Sequence, residues 1–450
     1  ELSLWQQNNP DFIKATSGWI IGNGYDDAQI KEKRHPTADD LDLVSTNHPI
    51  IVLHQSGHLA SVNHKALELL NINKNTPNPT GGIIRRKANS QEPNGVLEEA
   101  AVFSAMATAF SKVPPEIMQN MAKTALNTYI KNGYTTVQEG RADHGTAELW
   151  RSFAAINQLN IDVVVYPDII NEKEYMLKNG SSLNYQNHFR IGGVKISLDG
   201  SPQGKTAWLT QPYFIPPEGK PKDYRGYPAY PDTKMVQDAI NLAYKNHWQI
   251  LAHANGDAAI DQYLATIETA NAQYGQADRR NVIIHAQTMR EDQLDQAKKL
   301  GLIPSFFSLH TYYWGDWHKH ETLGAERANR ISPTGSALRK NMIFTEHHDA
   351  PVIPPKNMMV IDATVNRTTR SGDVLGEDQK VSPYIALKSV TDWAAYQYFE
   401  EKDKGTLEKG KLADLVVIDQ DPLKVPTQKI KDIKILATYK EGQLIYQSPQ

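Results

Sequence analysis

The stretch that decides the fold occupies residues 249–287 and reads QILAHANGDAAIDQYLATIETANAQYGQADRRNVIIHAQ. It contains two short apolar runs, one ending at His253 and the other at His285. Between them Ile260, Leu264 and Ile267 recur at helical spacing, which predicts an amphipathic connecting helix. Two strands joined by such a crossover are parallel neighbours in a covered sheet. The stretch therefore predicts one β/α unit.

The histidines at the two strand ends predict a shared binding point. Adjacent strands lie about 4.8 Å apart, so imidazoles that leave the same ends of two neighbours can meet at one cation or one substrate atom. A single histidine in this position more often ends a strand and bonds to a loop. Because His253 and His285 occur in step, the pair favours a metal site.

The alternation of strand and helix extends over much of the chain. Seven apolar runs predict strands, at residues 135–138, 161–166, 193–198, 250–252, 282–284, 303–308 and 342–345. Seven parallel strands with helices between them fit either a doubly wound sheet or an eight-stranded barrel whose first strand precedes Glu1. No glycine-rich phosphate loop follows any of these runs, which disfavours the nucleotide-binding sheet.

Composition excludes several classes of function. The chain has 450 residues, enough for a large catalytic domain and a smaller module. Its 48 basic and 51 acidic residues are dispersed, without the basic stripe that nucleic acid or an anionic membrane requires, so a small-molecule substrate fits better. There is no cysteine, which leaves histidine, carboxylate or modified lysine as metal ligands. No apolar run has transmembrane length, and either cytoplasm or periplasm is compatible with the sequence.

Lys195 lies in the predicted strand VKISLDG, on the side opposite to Val194 and Ile196. If that side faces a barrel interior, the ammonium needs a partner there. One solution is a salt bridge to Asp199. The other is carboxylation of the amine by carbon dioxide, which turns the lysine into an anionic oxygen ligand able to bridge two metals.

Asp349 follows the predicted strand MIFT in the run TEHHDAPVIPP. A carboxylate just past the last strand of a barrel lies at the catalytic face, where it can contact a metal and take a proton from water. Alone, an aspartate before small residues and proline is more typical of a turn. Combined with His253 and His285, Asp349 is the predicted general base.

Longer motifs occur in a fixed order along nearly the whole chain: GWIIGNGYDD, HLASVNHKAL, GGIIRRKANSQEPNGVLEEAA, VKISLDGSPQGKTAWLTQPY, LAHANGDAAID, IIHAQ, HDAPVIPP, NRTTRSGDVLG and GTLEKGKLADLVVID. Together they resemble the amidohydrolase superfamily, and within it the YtcJ-like branch, amidohydrolase family 3. The resemblance implies a metal-dependent β/α barrel that hydrolyses amide-type bonds with one or two divalent ions, zinc being the first choice. By this resemblance Lys195, His253 and His285 match metal ligands of the fourth, fifth and sixth strands, and Asp349 matches the eighth-strand acid/base and ligand.

The chain also departs from that family's pattern. The His-x-His pair of the first barrel strand has no counterpart near the start, and His318-Lys319-His320 has the spacing but lies in a Trp-rich segment that we expect to be an unrelated loop. Glu346-His347-His348 precede Asp349 where Gly-Ser is usual, so the ligand set there is open. Ser56 and Tyr25 stand where Asp and Trp are common, as substrate-side changes.

The expected architecture is a (β/α)8 TIM-type barrel with an inserted subdomain and a small β-sandwich made by the chain ends. The predicted boundaries are residues 1–17 for a helix after a first barrel strand, 18–95 for the inserted subdomain, 96–400 for the barrel and 401–450 for the C-terminal part of the sandwich. We expect the natural protein to continue upstream of Glu1 with sandwich strands and a strand ending in His-x-His.

The expected function is hydrolysis of an amide-type C–N bond, in an N-acyl or N-formyl compound. His58 and His310 are the predicted contacts of the substrate carbonyl oxygen or of another substrate group. Trp208 belongs to the aromatic set that predicts an apolar acyl or aryl group: Trp208, Tyr213, Tyr312, Tyr313, Trp314 and Trp317. A lid or subunit contact, including that of a homo-oligomer, would use the same aromatic residues. The alternatives are a non-catalytic regulatory or binding protein on a degenerate barrel, and ester or phosphoester cleavage on the same scaffold.

Overall fold

The structure is a computed structural model and describes residues 1–449. It divides into two compact units, the first comprising residues 1–122 and 199–231, the second residues 123–198 and 232–450. Each unit is described by itself below. The domain boundaries predicted from the sequence stay predictions. Within residues 1–449 no helix is long and apolar enough to cross a membrane.

The first unit is built around a mixed five-stranded sheet with the strand order β1-β2-β3-β5-β4. Strands β1 and β2 are parallel, and the remaining neighbours are antiparallel. The helices and strands are α1 (Leu2–Asn8), α2 (Pro10–Ala15), β1 (Ile20–Tyr25), α3 (Ala38–Asp42), β2 (Ile50–His54), β3 (Leu59–Val62), α4 (His64–Leu69), β4 (Gly82–Arg86), β5 (Pro93–Glu99), α5 (Ala100–Phe110) and α6 (Pro115–Lys131), within which the unit boundary falls.

Strand β2 is an inner strand of this sheet, and every one of its residues is buried. One of its faces packs with Ile51 and Leu53 into a core that includes Trp19 and Leu97. The other face contributes to a second apolar cluster made of Ile13, Ile20, Leu41, Ile50 and Val52. A strand buried on both faces reads as a continuous apolar run, which is why IIVL precedes His54.

The second unit alternates strands and helices along the chain. Its elements are β6 (Thr136–Ala142), α7 (His144–Ala155), β7 (Asp162–Pro167), α8 (Lys173–Asn179), β8 (Phe189–Ile191), β9 (Gly193–Ser197), α9 (Thr233–Lys245), β10 (Gln249–Ala254), α10 (Asp257–Tyr274), β11 (Val282–His285), α11 (Glu291–Leu300), β12 (Ile303–Phe306), α12 (His310–Trp317), α13 (Gly324–Ala328), α14 (Thr334–Arg339), β13 (Thr345–Glu346), α15 (Asn357–Asn366), α16 (Pro383–Ser389), α17 (Asp392–Gln397), β14 (Leu415–Ile418), β15 (Ile435–Lys440) and β16 (Gln443–Gln447).

The strands of this unit follow one another in chain order. Strands β6, β7 and β8 form one parallel sheet, and β9 to β13 form another. A parallel bridge between Asp168 and Lys195 brings the end of β7 to β9. All seven strands expected from the sequence are present, which confirms an α/β fold of the barrel type. The last one is shorter than expected, since Met342 still donates its N–H to Ala337 in the turn that ends α14.

The stretch at residues 249–287 has the predicted form. Strands β10 and β11 are parallel neighbours with Leu251 opposite Val282. The crossover is α10, in which Ile260, Leu264 and Ile267 are all buried, as their helical spacing requires. The helix ends at Gly275, whose φ of +79° is a conformation that favours glycine.

The interior between the strands is filled by large side chains. An apolar cluster contains Val164, Tyr166, Leu251, Val282 and Ile284 from three different strands. The hydroxyl of Tyr166 donates to Gln249 Oε1 at 2.8 Å, so its polar tip is satisfied although it is buried. The strand ends are therefore held on a packed core rather than around a pore.

The C-terminal segment forms an antiparallel sheet in the order β14-β15-β16. The hairpin between β15 and β16 turns at Glu441 and Gly442, as the sequence predicts. Lys440 at the end of β15 donates to Asp162 Oδ2 at 2.7 Å and to Asp414 Oδ2 at 2.7 Å. Since Asp162 begins β7, these buried ion pairs fasten the small sheet to the parallel strands of the same unit.

Candidate metal centre

The two strand-end histidines of the second unit meet as predicted. His285 Nε2 lies 3.0 Å from His253 Nδ1, with the two rings edge to face and 4.5 Å between their centroids. In the strand register His285 is opposite Ala254, one residue beyond His253. In regular strands an offset of one residue would point the two side chains to opposite faces. His285, however, has φ of +74° and leaves the strand conformation, and its ring meets that of His253 at the carboxyl ends of β10 and β11.

A third imidazole, from His347, joins this pair. His347 Nε2 lies 3.0 Å from His285 Nδ1, and His347 Nδ1 lies 3.1 Å from Ser305 Oγ on β12. At the other end of the row, Asn255 Nδ2 lies 3.2 Å from His253 Nε2. We name His253, His285 and His347 the barrel histidine cluster. If Asn255 Nδ2 donates, each ring carries its proton on Nδ1 and the row runs in one direction to Ser305.

Burial keeps the rings of His285 and His347 neutral. It lowers the pKa of His347 to about 3, with help from the nearby charges of His348 and Lys195. It also lowers the pKa of His285 well below the ordinary value, and the adjacent His253 and His347 act in the same direction. A neutral imidazole has a free lone pair on one nitrogen, which is the form that binds a metal.

Lys195 is buried on β9 beside carboxylates. Burial lowers the pKa of its ammonium to about 8, against the raising effect of Asp349 and Asp168 and together with the lowering effect of Arg141. An amine with a pKa near neutrality spends part of its time unprotonated, which is the form that reacts with carbon dioxide. Asp199, the other partner considered from the sequence, accepts a hydrogen bond from the Trp208 N–H at 3.0 Å within the first unit.

The backbone is strained at two of the predicted site residues. His285 has φ of +74° and Asp349 has φ of +55°, and neither is a glycine. Such conformations cost of order 1–3 kcal/mol each and persist where surrounding structure imposes them, often at functional sites. Ala286, next to His285, has φ of +47°. Positive φ values thus occur where β11 and the segment after β13 present their side chains, as they also do at other non-glycine residues of the described chain.

His310 lies in a buried group with His318 that borders the barrel histidine cluster, since Phe307 packs against His310 and also against His285 and His347. Its contact with a substrate stays a prediction. Its Nδ1 is 3.0 Å from His318 Nε2, the two rings are stacked, and Phe307 and Trp314 pack against it. The expectation that His318-Lys319-His320 lies in a loop is wrong, since α12 continues at His318 into a π-helical turn. Helical backbone places His318 inside and His320 outside, so the two histidines do not share a site.

The other predicted substrate contacts belong to the first unit. His58 Nδ1 lies 2.7 Å from Glu99 Oε2, and His58 N–H donates to Ser56 Oγ. Glu99 is buried and has φ of +50°. Trp208 is half-buried, with its backbone N–H on Asp199. Contact of these residues with a substrate stays a prediction.

Sequence reasoning missed His347 as a member of the cluster. The signal was present, because Glu346-His347-His348 stand immediately before Asp349 where small residues were expected. The structure separates the three: Glu346 accepts from the Ser308 N–H and hydroxyl, His348 packs on Tyr129 and Tyr134, and His347 turns to His285. Only the strand register decides which of two adjacent histidines faces the cluster.

The donors present fit a divalent cation. Two nitrogen ligands of one zinc ion, each at about 2.0–2.1 Å, are roughly 3.3 Å apart at the tetrahedral angle. The 3.0 Å between His253 Nδ1 and His285 Nε2 is close to that separation. Binding through both atoms requires His253 to carry its proton on Nε2, with the Asn255 amide turned so that its oxygen accepts that proton. Neutral imidazoles, a lysine of lowered pKa and a neighbouring carboxylate form a nitrogen and oxygen donor set suited to zinc and similar ions.

Fold and site together define a class: a β/α barrel whose strand ends carry histidines, a buried lysine and an aspartate. The model of the Amidohydrolase family matches residues 6–446, and the chain belongs to that family. The YtcJ protein of Bacillus subtilis (strain 168) is 25% identical over 446 residues, covering 95% of this chain and 80% of that protein.

Two further comparisons agree with this placement. The N-substituted formamide deformylase of Arthrobacter pascens is 24% identical over 450 residues, which cover 95% of this chain and 79% of the deformylase. A crystal structure of an uncharacterized metal-dependent hydrolase from Pyrococcus horikoshii OT3 aligns with a TM-score of 0.70 at 24% identity, covering 92% of this chain and 80% of that one. At that identity the structural likeness supports the fold.

Proposed function

We propose that this protein is a metal-dependent amidohydrolase that cleaves the C–N bond of a small N-acyl or N-formyl compound. The observation that carries the proposal is the 3.0 Å approach of His253 Nδ1 and His285 Nε2 at the ends of neighbouring parallel strands. Membership of the Amidohydrolase family and the likeness to a formamide deformylase support the choice of bond.

In this proposal Lys195, His253 and His285 hold the ion, with Asp349 beside them. A divalent cation bound there supplies Lewis-acid polarisation of the substrate carbonyl and lowers the pKa of water. His347 supports the site through His285 Nδ1, and Ser305 orients His347 in turn. Hydrogen bonds of this kind fix the tautomer and ring orientation of a ligand.

Asp349 carries the proton. Its carboxylate accepts a proton from the attacking water and returns it to the leaving nitrogen, so the amine departs in neutral form. No second acid is needed, because the same oxygen gives up the proton that it took.

The test is a substrate panel with matched bonds. Purified full-length chain loaded with zinc is assayed on N-formyl, N-acyl and ester compounds that share one aryl group. We expect turnover of an amide-type member and its loss after chelation. Hydrolysis of the ester alone would move the protein to the esterase alternative. A folded, zinc-loaded protein that leaves every amide intact would contradict the proposal.

The regulatory alternative makes a different prediction about metal. A degenerate barrel without a functional centre would retain its fold while binding no ion at Lys195, His253 and His285. Metal analysis of the chain, compared with a His253→Ala/His285→Ala variant, separates the two readings. A metal content that is the same in both proteins favours the binding protein, because no ion is then lost from the barrel.

A further inference from the structure

A second group of nitrogen and oxygen donors lies in the first unit, at the ends of its two parallel strands. Asp27 follows β1, His54 is the last residue of β2, and His35 comes from the segment that leads to α3. Their ligand atoms all lie within 4.8 Å of one another. We name Asp27, His35 and His54 the Asp27 cluster. Carboxyl ends of parallel strands are where α/β proteins place ligands.

The distances converge on the Asp27 carboxylate. His54 Nε2 lies 2.9 Å from Asp27 Oδ1, and His35 Nε2 lies 3.8 Å from Asp27 Oδ2. Asp26 lies beside the group, with its Oδ1 3.8 Å from His54 Nε2. The group thus offers two imidazole nitrogens and the Asp27 carboxylate, with the Asp26 carboxylate nearby, and these are ligand types that zinc accepts.

The backbone is shaped to present these groups. The pairing of β1 with β2 shifts register between Asn23 and Tyr25, at Gly24 with φ of +92°. A bulge of this kind re-aims the side chains that follow it. Asp26 Oδ1 then accepts the N–H of Ala28, which fixes the turn carrying Asp26 and Asp27.

The second nitrogen of each imidazole is held by a hydroxyl. His35 Nδ1 lies 3.1 Å from Tyr25 Oη, which also receives the Ser61 hydroxyl, and His54 Nδ1 lies 2.8 Å from Ser56 Oγ. A hydroxyl can donate or accept, so either tautomer of His35 is satisfied. With Nδ1 protonated, Nε2 presents its lone pair toward Asp27. Metal-binding histidines have such outer partners.

The charge around the group leaves room for a cation. The guanidinium of Arg85, whose charge acts on Asp27 and His35, is paired with Glu98 at 2.5 Å. Burial, although it opposes ionisation of Asp27, is outweighed by the hydrogen bond from His54 and the neighbouring positive charges, which lower its pKa to about 2. The His54 side chain is 0% exposed and that of His35 is 9% exposed, so both imidazoles are largely shielded from solvent water.

We propose that Asp27, His35 and His54, with Asp26 beside them, form a second metal site that takes one zinc or a similar divalent ion. The site is distinct in donors and location in the fold from the barrel histidine cluster. Binding requires His54 Nδ1–H to donate to Ser56 Oγ, which displaces the Ser56 N–H from that nitrogen at 3.1 Å. We therefore expect weaker zinc binding here than in the barrel.

The experiment isolates this site by removing the other. The full-length His253→Ala/His285→Ala variant is stripped with chelator, dialysed against zinc and analysed by mass spectrometry. We expect about one equivalent of zinc to remain. Adding Asp27→Asn or His35→Gln, each close in shape to the native residue, should remove that equivalent. His64→Ala is the control, since His64 forms an exposed pair with Asp42 in the same unit.

Two outcomes would overturn the proposal: no zinc in the parent variant, or zinc that survives both substitutions. Tyr25→Phe sharpens the assignment, because loss of an outer partner should weaken zinc binding by about 10- to 100-fold without abolishing it. If a substitution unfolds the chain, nitrogen chemical shifts of the parent's imidazoles decide the question. Zinc must then move the signals of His35 and His54; unchanged signals refute the site.

Discussion

The barrel histidine cluster and the Asp27 cluster are built by the same rule and differ in chemistry. In each, an apolar strand ends in a histidine beside a parallel neighbour, as at His54 in the first unit and at His253 and His285 in the second. The barrel cluster joins imidazole to imidazole at 3.0 Å. The Asp27 cluster joins imidazole to carboxylate at 2.9 Å.

The two clusters differ in which groups form hydrogen bonds with the imidazole nitrogens when no cation is bound. In the Asp27 cluster a carboxylate accepts the imidazole proton and hydroxyls hold the far nitrogens, so the group is satisfied as it stands. In the barrel the rings bond to one another in a row, and burial suppresses their charge. We infer that the barrel cluster gains more from a cation, and that catalysis and tight binding belong there.

A third group shows when proximity does not make a metal site. Asp162, His188 and Glu441 also have ligand atoms within 4.8 Å of one another. The ammonium groups of Lys404 and Lys440, however, both contact Asp162 Oδ2. The chain's own cations already occupy the carboxylate, so we assign this group to stability.

The largest effect is expected from the proton carrier. Asp349→Asn should retain zinc and fold while kcat falls by about 10²- to 10⁴-fold, because the amide cannot take or return the proton. The measurement is steady-state kinetics on the best amide of the panel. Asp373→Asn, at an exposed partner of Lys319, is the control and should leave kcat unchanged. An Asp349→Asn enzyme within a factor of about ten of wild type would remove Asp349 from the role.

The next largest effect is expected at Lys195, a predicted ligand of the barrel site that has no counterpart in the Asp27 cluster. We predict that Lys195 is carboxylated in the loaded enzyme, so Lys195→Ala should lose barrel zinc and recover part of it when short-chain carboxylates are added. Metal content and activity in the presence of acetate or propionate measure this recovery. An unmodified ammonium at Lys195 in a high-resolution map of the metal-loaded enzyme would refute carboxylation.

A smaller change is expected at His347. His347→Ala should weaken zinc binding at the barrel by about 10- to 100-fold, since His285 loses the partner of its Nδ1. Competition with a coloured chelator measures the affinity. The matched control is His320→Ala, at an exposed histidine of the π-helical turn. Equal affinities in the two variants would show that His347 does not support the site.

The smallest effect on metal and activity is expected at Asp162, although stability should change strongly. Asp162→Asn takes one carboxylate partner from each of two buried ammonium groups, Lys404 and Lys440, which keep Glu400 and Asp414. We expect the free energy of unfolding to fall by about 1.5–3 kcal/mol, the range for a hydrogen bond to a charged group. Urea denaturation measures this, with zinc content unchanged. A loss of zinc in Asp162→Asn would instead indicate that Asp162, His188 and Glu441 bind a metal ion.

The same residue predicts a pH dependence. Burial opposes ionisation of Asp162, but the hydrogen bond from His188 and the charges of Lys404 and Lys440 hold its pKa well below the ordinary value. Since the unfolded chain has the higher pKa, near 3.9, the stabilisation is complete above about pH 5 and is lost as the pH falls. In Asp162→Asn this part of the acid dependence should disappear.

Much of the parallel-strand unit was predictable because its evidence is local. Apolar runs with helical spacing between them predict parallel strands, and all seven are found. The meeting of His253 and His285 followed from the constant spacing of neighbouring strands. The helical form of residues 310–322 was not predictable in this way, because a Trp- and His-rich segment has no simple apolar period.

By itself, the sequence determined the strand-helix order, the positions of His253, His285, Lys195 and Asp349 at or near strand ends, and the absence of thiol chemistry. Only the tertiary structure decided that His347 rather than His348 joins the cluster, and that His35 folds back onto His54 and Asp27. The physical reason is that side-chain direction alternates along a strand and varies freely in a loop. The direction of each of these side chains therefore depends on strand register and on where the chain reverses. Long-range contacts determine both.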